Sequence, residues 1–219
     1  MNDKGMTQPQ AIDVAHIEID NVIVPQNFTG KPLDIAYSIT LANESMAELF
    51  FKRTLVRLLT IENWHTLAGV ASASFTLVDS QGSPLERAPQ SKDYIKIDIP
   101  GPGSTTGDGF DWVMIEDIKK DYIVDVAASF GMRLRACANP LHEGTGTAHF
   151  FGHHATSNFV ITLKDATVNA FYHGRNEKPN VENVPLMDKL RNTFVASGAM
   201  VGLSNLQWSA LLKGLLSEK

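Results

Sequence analysis

Histidine is the most concentrated polar residue type of the chain. Four of its seven histidines, His142, His149, His153 and His154, fall within thirteen residues and stand beside Glu143. Neutral imidazoles with a carboxylate are good ligands for Zn²⁺ or Fe²⁺, so His142, His149 and His153 are candidate ligands of a divalent metal. There is no HEXXH motif, and nearby glycines disfavour the helix that would align such ligands. A polar loop of locally hydrogen-bonded histidines is the favoured interpretation, and we expect no cofactor.

Two further polar side chains could act at the mouth of a pocket. His65 follows Trp64 in a predicted turn, and the usual pKa of histidine, about 6.5, suits general acid–base work. Arg175 lies in the tract GRNE and could bind a carboxylate or phosphate with two parallel hydrogen bonds. Both are candidate catalytic or anchoring residues. The simpler alternatives, a turn histidine and a surface ion pair of Arg175 with Glu177 or Asp188, are favoured.

The glycine-rich tract PGPGSTTGDG, residues 100–109, could form a phosphate-binding loop. It lacks the Gly-Lys-Ser/Thr of a P-loop, and its glycines do not have the spacing of a dinucleotide-binding fingerprint. Turn chemistry therefore explains it better. Cys137 ends an alternating apolar segment, which is typical of an inert buried thiol, and no nucleophile-elbow serine is present.

Composition limits the class of protein. The 219 residues are 43% hydrophobic and 20% charged, with a formal net charge of −5, which is typical of a globular domain with a sizeable core. The acidic balance argues against a dedicated nucleic-acid binder. We expect no membrane span, because no apolar run reaches about 18 residues. The first residues lack the apolar core of a signal peptide, so the cytoplasm is the default location.

Hydrophobic periodicity predicts the elements that would position these side chains. Alternation predicts strands, and apolar residues recurring every three or four positions predict helices. The predicted strands cover 12–24, 33–41, 70–78, 94–99, 110–118, 122–138, 155–163 and 166–173. The predicted helices cover 44–59, with Asn43 or Ser45 as cap, a short helix or turn at 60–69, and two stretches between 186 and 216. Consecutive strands with segregated helices indicate an α+β fold with an antiparallel sheet, as one domain over 12–219 after a flexible lead-in, 1–11.

The order of these elements resembles the helix-grip fold of the START and Bet v 1 superfamily. The tracts LLTIENWHTLAG and FTLVD resemble the end of the second helix and the following strand in many bacterial members. The chain also resembles a bacterial family that carries ENWH, IPGPGS, GDGFDW and GRNE tracts. The resemblance implies a curved antiparallel sheet, a helix pair near the N-terminus and a long C-terminal helix. A lipocalin-like barrel with appended helices is the alternative architecture.

The resemblance implies binding of a small, mostly apolar ligand between the sheet and the C-terminal helix, an inference from fold analogy. The candidate ligand-binding residues are Trp64, Phe75, Ile97, Trp112, Phe159 and Phe194. Two alternatives stay open: an enzyme of the same fold, such as a hydrolase, a cyclase or a metal-dependent catalyst, and an interaction protein with a filled core. A homodimer is compatible with the apolar stripe of the last helix.

Overall fold

Eight antiparallel strands form one curved sheet in the computed structural model, which describes residues 8–13, 23–69, 73–99, 105–121, 126–142, 146–180 and 205–217. The strands are β1 (Gln10–Ala11), β2 (Leu33–Thr40), β3 (Ser74–Val78), β4 (Tyr94–Asp98), β5 (Asp111–Lys120), β6 (Ala128–Ala136), β7 (Thr156–Lys164) and β8 (Thr167–Arg175). Their order in space is β1-β2-β8-β7-β6-β5-β4-β3. Among the described strands β1 and β3 stand at opposite edges without pairing, so the sheet is open. The lipocalin-like alternative is therefore wrong.

The helices of the described ranges lie on one face of this sheet. Helix α1 (Glu44–Leu59) is followed by a 3₁₀ turn (Ile61–Asn63), by α2 (Trp64–Ala68) and, late in the chain, by a C-terminal helix α3 over 205–215. Asn43 caps α1, because its Oδ1 accepts a hydrogen bond from the backbone N–H of Met46. The predicted α+β class and the helix pair near the N-terminus are confirmed.

The face under the helices, called the inner face below, carries the main core. Alternation along β7 and β8 places Phe159 opposite Tyr172 and Ile161 opposite Ala170, and all four side chains are fully buried. Helix α1 covers these two strands with residues that include Phe50 and Phe51. The inner face is therefore the apolar face of the sheet that the helices cover.

Helix α3 is fixed to the first helix through its last turn. The Arg57 guanidinium donates hydrogen bonds to the carbonyl oxygens of Leu215, at 3.0 Å, and Ser217, at 2.5 Å. These carbonyls lie at the C-terminal end of α3 and just beyond it, where a cation satisfies them and complements the helix dipole. The apolar stripe of α3 enters the core with Leu211, Leu212, Leu215 and Leu216. The predicted stretch before it, with Phe194, lies outside the described residues.

Most of the strand predicted over 12–24 lies outside the described residues, which here are 12–13 and 23–24. Gln10 and Ala11, assigned by sequence to the lead-in, pair with β2 as a two-residue strand. Ile23 and Val24 lie in a turn and a loop, and they pack with Phe171 on the outer face of the sheet. The backbone N–H of Ile12 also donates to the carbonyl oxygen of Ala36 in β2, at 3.1 Å. No helix in the described ranges is long and apolar enough to cross a membrane.

Candidate functional site

Five aromatic side chains meet between the inner face and α3. Trp208 of α3 stacks on Tyr172, with ring centroids 5.1 Å apart and an angle of 18° between the rings. It also meets Phe159 edge-on at 5.3 Å and Trp64 at 6.2 Å. Phe75 completes the group at 5.2 Å from Trp64. We call these five residues the aromatic cluster.

Trp64 joins this cluster from the first residue of α2 and contacts the rings of Phe75, Phe159 and Trp208. The indole is fully buried, and its Nε1–H donates a hydrogen bond of 2.9 Å to the carbonyl oxygen of Leu58. The otherwise unsatisfied indole donor is thus matched at the end of α1. The predicted burial of Trp64 is confirmed.

A buried carboxyl lies at one edge of the aromatic cluster. The Tyr172 hydroxyl donates a hydrogen bond of 3.0 Å to Oε1 of Glu177. The Ser157 hydroxyl lies 3.0 Å from the same phenol oxygen. Because the phenol proton is directed to Glu177, the serine hydroxyl donates to Tyr172. Ser157, Tyr172 and Glu177 therefore form a hydrogen-bond relay that ends on the carboxylate.

Two glycines make room for Glu177. Gly174 is directly opposite Ser157 in the β7–β8 ladder, so a side chain at this position would point to the inner face. A Cβ atom at Gly174 would overlap Oε1 of Glu177, and one at Gly30 would overlap the Glu177 carbonyl oxygen. Gly30 also has a φ of +66°, which disfavours other residues. The carboxyl lies over a strand position where only glycine leaves space.

Asn176 turns the chain so that Glu177 points back over the sheet. Its φ of +58° is in the left-handed region, which asparagine tolerates better than most residues. Its Oδ1 accepts from the backbone N–H of Phe28 at 2.8 Å, and its Nδ2 donates to the carbonyl oxygen of Gln26 at 3.1 Å. The Asn27 side chain accepts from the Asn176 backbone N–H at 2.7 Å. The turn after β8 and the loop before β2 are thus held together.

The electrostatics of the relay follow from its burial. Burial raises the pKa of Glu177 to about 7, although the Tyr172 hydrogen bond and the Arg175 charge act in the opposite direction. Burial also raises the pKa of Tyr172 well above its usual value, and the Glu177 charge adds to this effect. The phenol therefore stays protonated and remains a donor. The carboxyl, in contrast, gains and loses its proton near neutral pH.

Arg175 does not contact Glu177. It lies on the outer face, where its guanidinium donates to Oδ1 of Asp34 at 2.6 Å and to the carbonyl oxygen of Gly174 at 2.8 Å. His173 Nδ1 lies 2.5 Å from the same Asp34 oxygen. Burial raises the pKa of Asp34, but the hydrogen bonds from His173 and Arg175 outweigh this and lower it. Arg175, which the sequence suggested as a polar anchor at the mouth of a pocket, therefore binds Asp34 on the outer face of the sheet instead.

His65 and Trp112 are also placed away from the aromatic cluster. His65 is exposed on α2, with Nδ1 2.7 Å from the Glu62 carbonyl oxygen. Trp112 is opposite Lys96 in the β4–β5 ladder, whereas Val113 is opposite Ile95 on the inner face. Trp112 packs on the outer face with Val78 and Ala148. The prediction that Trp112 lies in the same wall as Phe75 and Phe159 is therefore wrong. Alternation along β5 places its neighbour Val113 on the inner face instead.

The candidate metal ligands have separate partners. His142 Nε2 lies 2.7 Å from Oδ2 of Asp108, and the His153 ring contacts the ring of His154 at 3.9 Å. His149 is buried, and its Nδ1 accepts from the backbone N–H of Phe151 at 3.0 Å. Burial lowers the pKa of His149. Within the described ranges no three histidine, cysteine or acidic side chains are arranged to hold a metal ion.

Of the predicted ligand-binding residues, the structure brings together Trp64, Phe75 and Phe159, with Ile97 on the same inner face. It adds Tyr172, Glu177 and Trp208, which sequence reasoning did not nominate as a site. The tract GRNE could have indicated Glu177. A glycine, an asparagine and an acid close to the end of a strand are typical of a turn that directs a side chain back over the sheet. Burial raises the pKa of Cys137 to about 12, which is consistent with an inert thiol.

These features define a class of protein. An open, curved antiparallel sheet with two N-terminal helices and a C-terminal helix on its inner face is an α+β fold with helix-grip-like architecture. It resembles the START and Bet v 1 superfamily, as the sequence indicates.

No protein-family model and no curated protein matches the chain. Solved structures that match the chain include protein Ms6760 from Mycobacterium smegmatis, with 16% identity and a TM-score of 0.35 over 85% of this chain and 92% of that chain. Ara h 8.0201 has 14% identity and a TM-score of 0.32 over 83% and 99%. The Zhui aromatase/cyclase from Streptomyces sp. R1128 has 12% identity and a TM-score of 0.35 over 82% and 94%. At these values the likeness brings no activity or ligand to this chain.

Proposed function

We propose that the chain binds a small, mostly apolar ligand between the inner face of the sheet and the C-terminal helix α3. One observation carries the proposal: a carboxyl is buried at the edge of an aromatic cluster, over glycine positions that leave it space. A core serving only stability gains little from burying a carboxyl that lacks an ion-pair partner, because the desolvation cost exceeds what one hydrogen bond returns. Ligand pockets, in contrast, combine apolar walls with a few polar groups.

The aromatic cluster supplies the apolar walls of the proposed site. Trp208, Tyr172 and Phe159 are within stacking distance of one another. Aromatic rings offer a large contact area and few rotatable bonds, so they bind apolar ligands at a low entropic cost. The relay of Ser157, Tyr172 and Glu177 would orient a polar end of the ligand.

The three tryptophans allow a direct test with N-phenyl-1-naphthylamine, a neutral apolar probe that accepts energy from excited tryptophan. Trp208 belongs to the proposed site, and Trp112 is a matched control on the outer face. We expect the probe to bind and to quench tryptophan emission. Trp208→Phe should weaken binding by about fivefold, which corresponds to about 1 kcal/mol of lost contact. Trp112→Phe should leave the affinity unchanged.

Two results would contradict the proposal. The first is that the probe, together with a panel of fatty acids and polyaromatic compounds, fails to bind and leaves the melting temperature unchanged. Alternatively, Trp112→Phe would weaken binding as much as Trp208→Phe, which would place the probe elsewhere. Native mass spectrometry of freshly purified protein would add an independent reading, because it reports retained ligands, metal ions and dimers together.

A further inference from the structure

The Glu177 carboxylate is desolvated without a counter-ion. Glu177 is 9% exposed, and the Tyr172 hydroxyl provides the single hydrogen bond that its carboxylate accepts from the described residues. That bond reaches Oε1, and Oε2 accepts no hydrogen bond from the described residues, so a ligand can supply its donor. Of the two cations close to it along the chain, Lys178 is exposed to solvent, and Arg175 is on the outer face and is bound by Asp34. The described part of the chain places no lysine, arginine or histidine in ion-pair contact with Glu177.

The surroundings of this carboxylate are aromatic. Tyr172, which contacts it, stacks on Trp208 and meets Phe159 edge-on at 5.4 Å. A carboxylate beside aromatic faces is complementary to an ammonium group, which can pair with the carboxylate and interact with the ring quadrupoles. A ligand carboxylate would instead face like-charge repulsion in a poorly solvated place. A neutral hydroxyl would gain one hydrogen bond and no charge pairing.

We propose that the ligand is an apolar amine, whose ammonium group pairs with Oε2 of Glu177 while its apolar part lies along the aromatic cluster. This inference rests on the proposed ligand-binding function and names the ligand class for the same site. Gly174 leaves space for the Glu177 carboxyl, and Gly30 leaves space for the Glu177 backbone. The Ser157–Tyr172 relay holds Oε1 so that Oε2 faces the ligand.

The other charges around Glu177 set how binding depends on pH. Tyr172 contacts it and stays protonated, because burial raises the pKa of the phenol. Arg175 acts on it through its charge and is bound by Asp34. The loop at Gly30, which packs against its backbone, contributes no titratable group at that contact. Glu177 is thus the group whose ionisation should control amine binding between pH 6 and pH 8.

The test uses three ligands of nearly equal shape: 4-phenylbutylamine, 4-phenylbutan-1-ol and 4-phenylbutanoic acid. Their affinities for the full chain are measured directly by isothermal titration calorimetry at pH 8. We expect the amine to bind at least about tenfold more tightly than the acid, with the alcohol between them, as an added charge pair implies. Amine affinity should rise several-fold from pH 6 to pH 8, whereas alcohol affinity should stay level.

Glu177→Gln keeps the shape of the side chain and removes its charge. We expect it to bring the three affinities within about threefold of one another and to abolish the rise with pH. Glu48→Gln removes an exposed carboxylate of α1 and controls for net charge, so it should keep the amine preference. If Glu177→Gln fails to fold, the pH profile of the native chain decides alone.

The outcomes separate this inference from the proposed function. Equal affinities of the three ligands for the native chain would overturn the amine proposal and leave apolar binding standing. An amine preference that survives Glu177→Gln, or that does not rise with pH, would likewise overturn it. If none of the three ligands binds and N-phenyl-1-naphthylamine does not bind either, both proposals are wrong.

Discussion

Replacing Glu177 by glutamine should change how the stability of the protein depends on pH. The substitution keeps the size of the side chain and a group that can accept the Tyr172 hydrogen bond, but it removes the ionisable proton. Burial raises the pKa of Glu177 from the usual 4.5 to about 7 in the folded protein. The unfolded chain exposes this group, so its pKa returns to the usual value there.

The sign of the effect follows from these two values. Between pH 4.5 and pH 7 the folded protein holds the Glu177 proton and the unfolded chain has lost it. The free energy of unfolding contributed by this group is therefore fully present below pH 4.5 and is lost as the pH rises through about 7. At 1.36 kcal/mol per pH unit, the loss amounts to about 3 kcal/mol.

The assay is a series of urea titrations of the native chain and of Glu177→Gln, from pH 4.5 to pH 8.5. The difference in free energy of unfolding between the two chains isolates Glu177, because all other groups titrate in both. Relative to the variant, the native chain should lose about 3 kcal/mol across this range. Glu48→Gln, which changes an exposed carboxylate, should run parallel to the native chain.

A flat difference between native chain and Glu177→Gln would refute the reasoning. It would mean that the carboxyl is solvated in the folded protein and that the relay with Tyr172 does not bury it. A difference of the opposite sign, with the native chain gaining stability as the pH rises, would mean that a cation pairs with Glu177. That result would also remove the basis for amine binding.

Three other substitutions test how the site is built, each by urea titration. Trp64→Ala should lower the free energy of unfolding by about 3–5 kcal/mol, as is typical of a buried aromatic side chain, and a loss under about 1 kcal/mol would show an exposed ring. Gly30→Ala should cost clearly more than Gly109→Ala: both have positive φ, but only the first would overlap the Glu177 carbonyl oxygen. Asn43→Ala should cost about 1 kcal/mol through loss of the helix cap, and an unchanged stability would contradict its role.

The spacing of apolar residues was sufficient to predict the strands and helices that depend on residues close together in the sequence. The alternation over 33–41 predicted β2 to within one residue, and the three-and-four spacing over 44–59 predicted α1 at its observed bounds. A strand side chain points to one of two faces and a helical one to a defined stripe, so residue spacing alone reveals these periods. The order of the elements then indicated the α+β class, because consecutive strands with short connections pair as neighbours.

The composition of the site depended on which face of the sheet is covered by helices. Trp112 and Val113 are both apolar, and both faces of β5 are buried there, one under the main core and the other against Ala148. Spacing assigns such residues to opposite faces without revealing which face lies under the helices. The tryptophan was therefore predicted on the wrong one.

The partners of the charged residues were decided by contacts between distant parts of the chain. Arg175 pairs with Asp34, which is 141 residues away, and not with the nearby Glu177. Glu177 instead turns over Gly174 because Asn176 is held by the loop before β2. Sequence determined that a glycine stands near the end of this strand and that an asparagine and an acid follow it. Only the tertiary structure, which sets the burial and hence the pKa of each group, decided that the acid is buried over the inner face beside Tyr172.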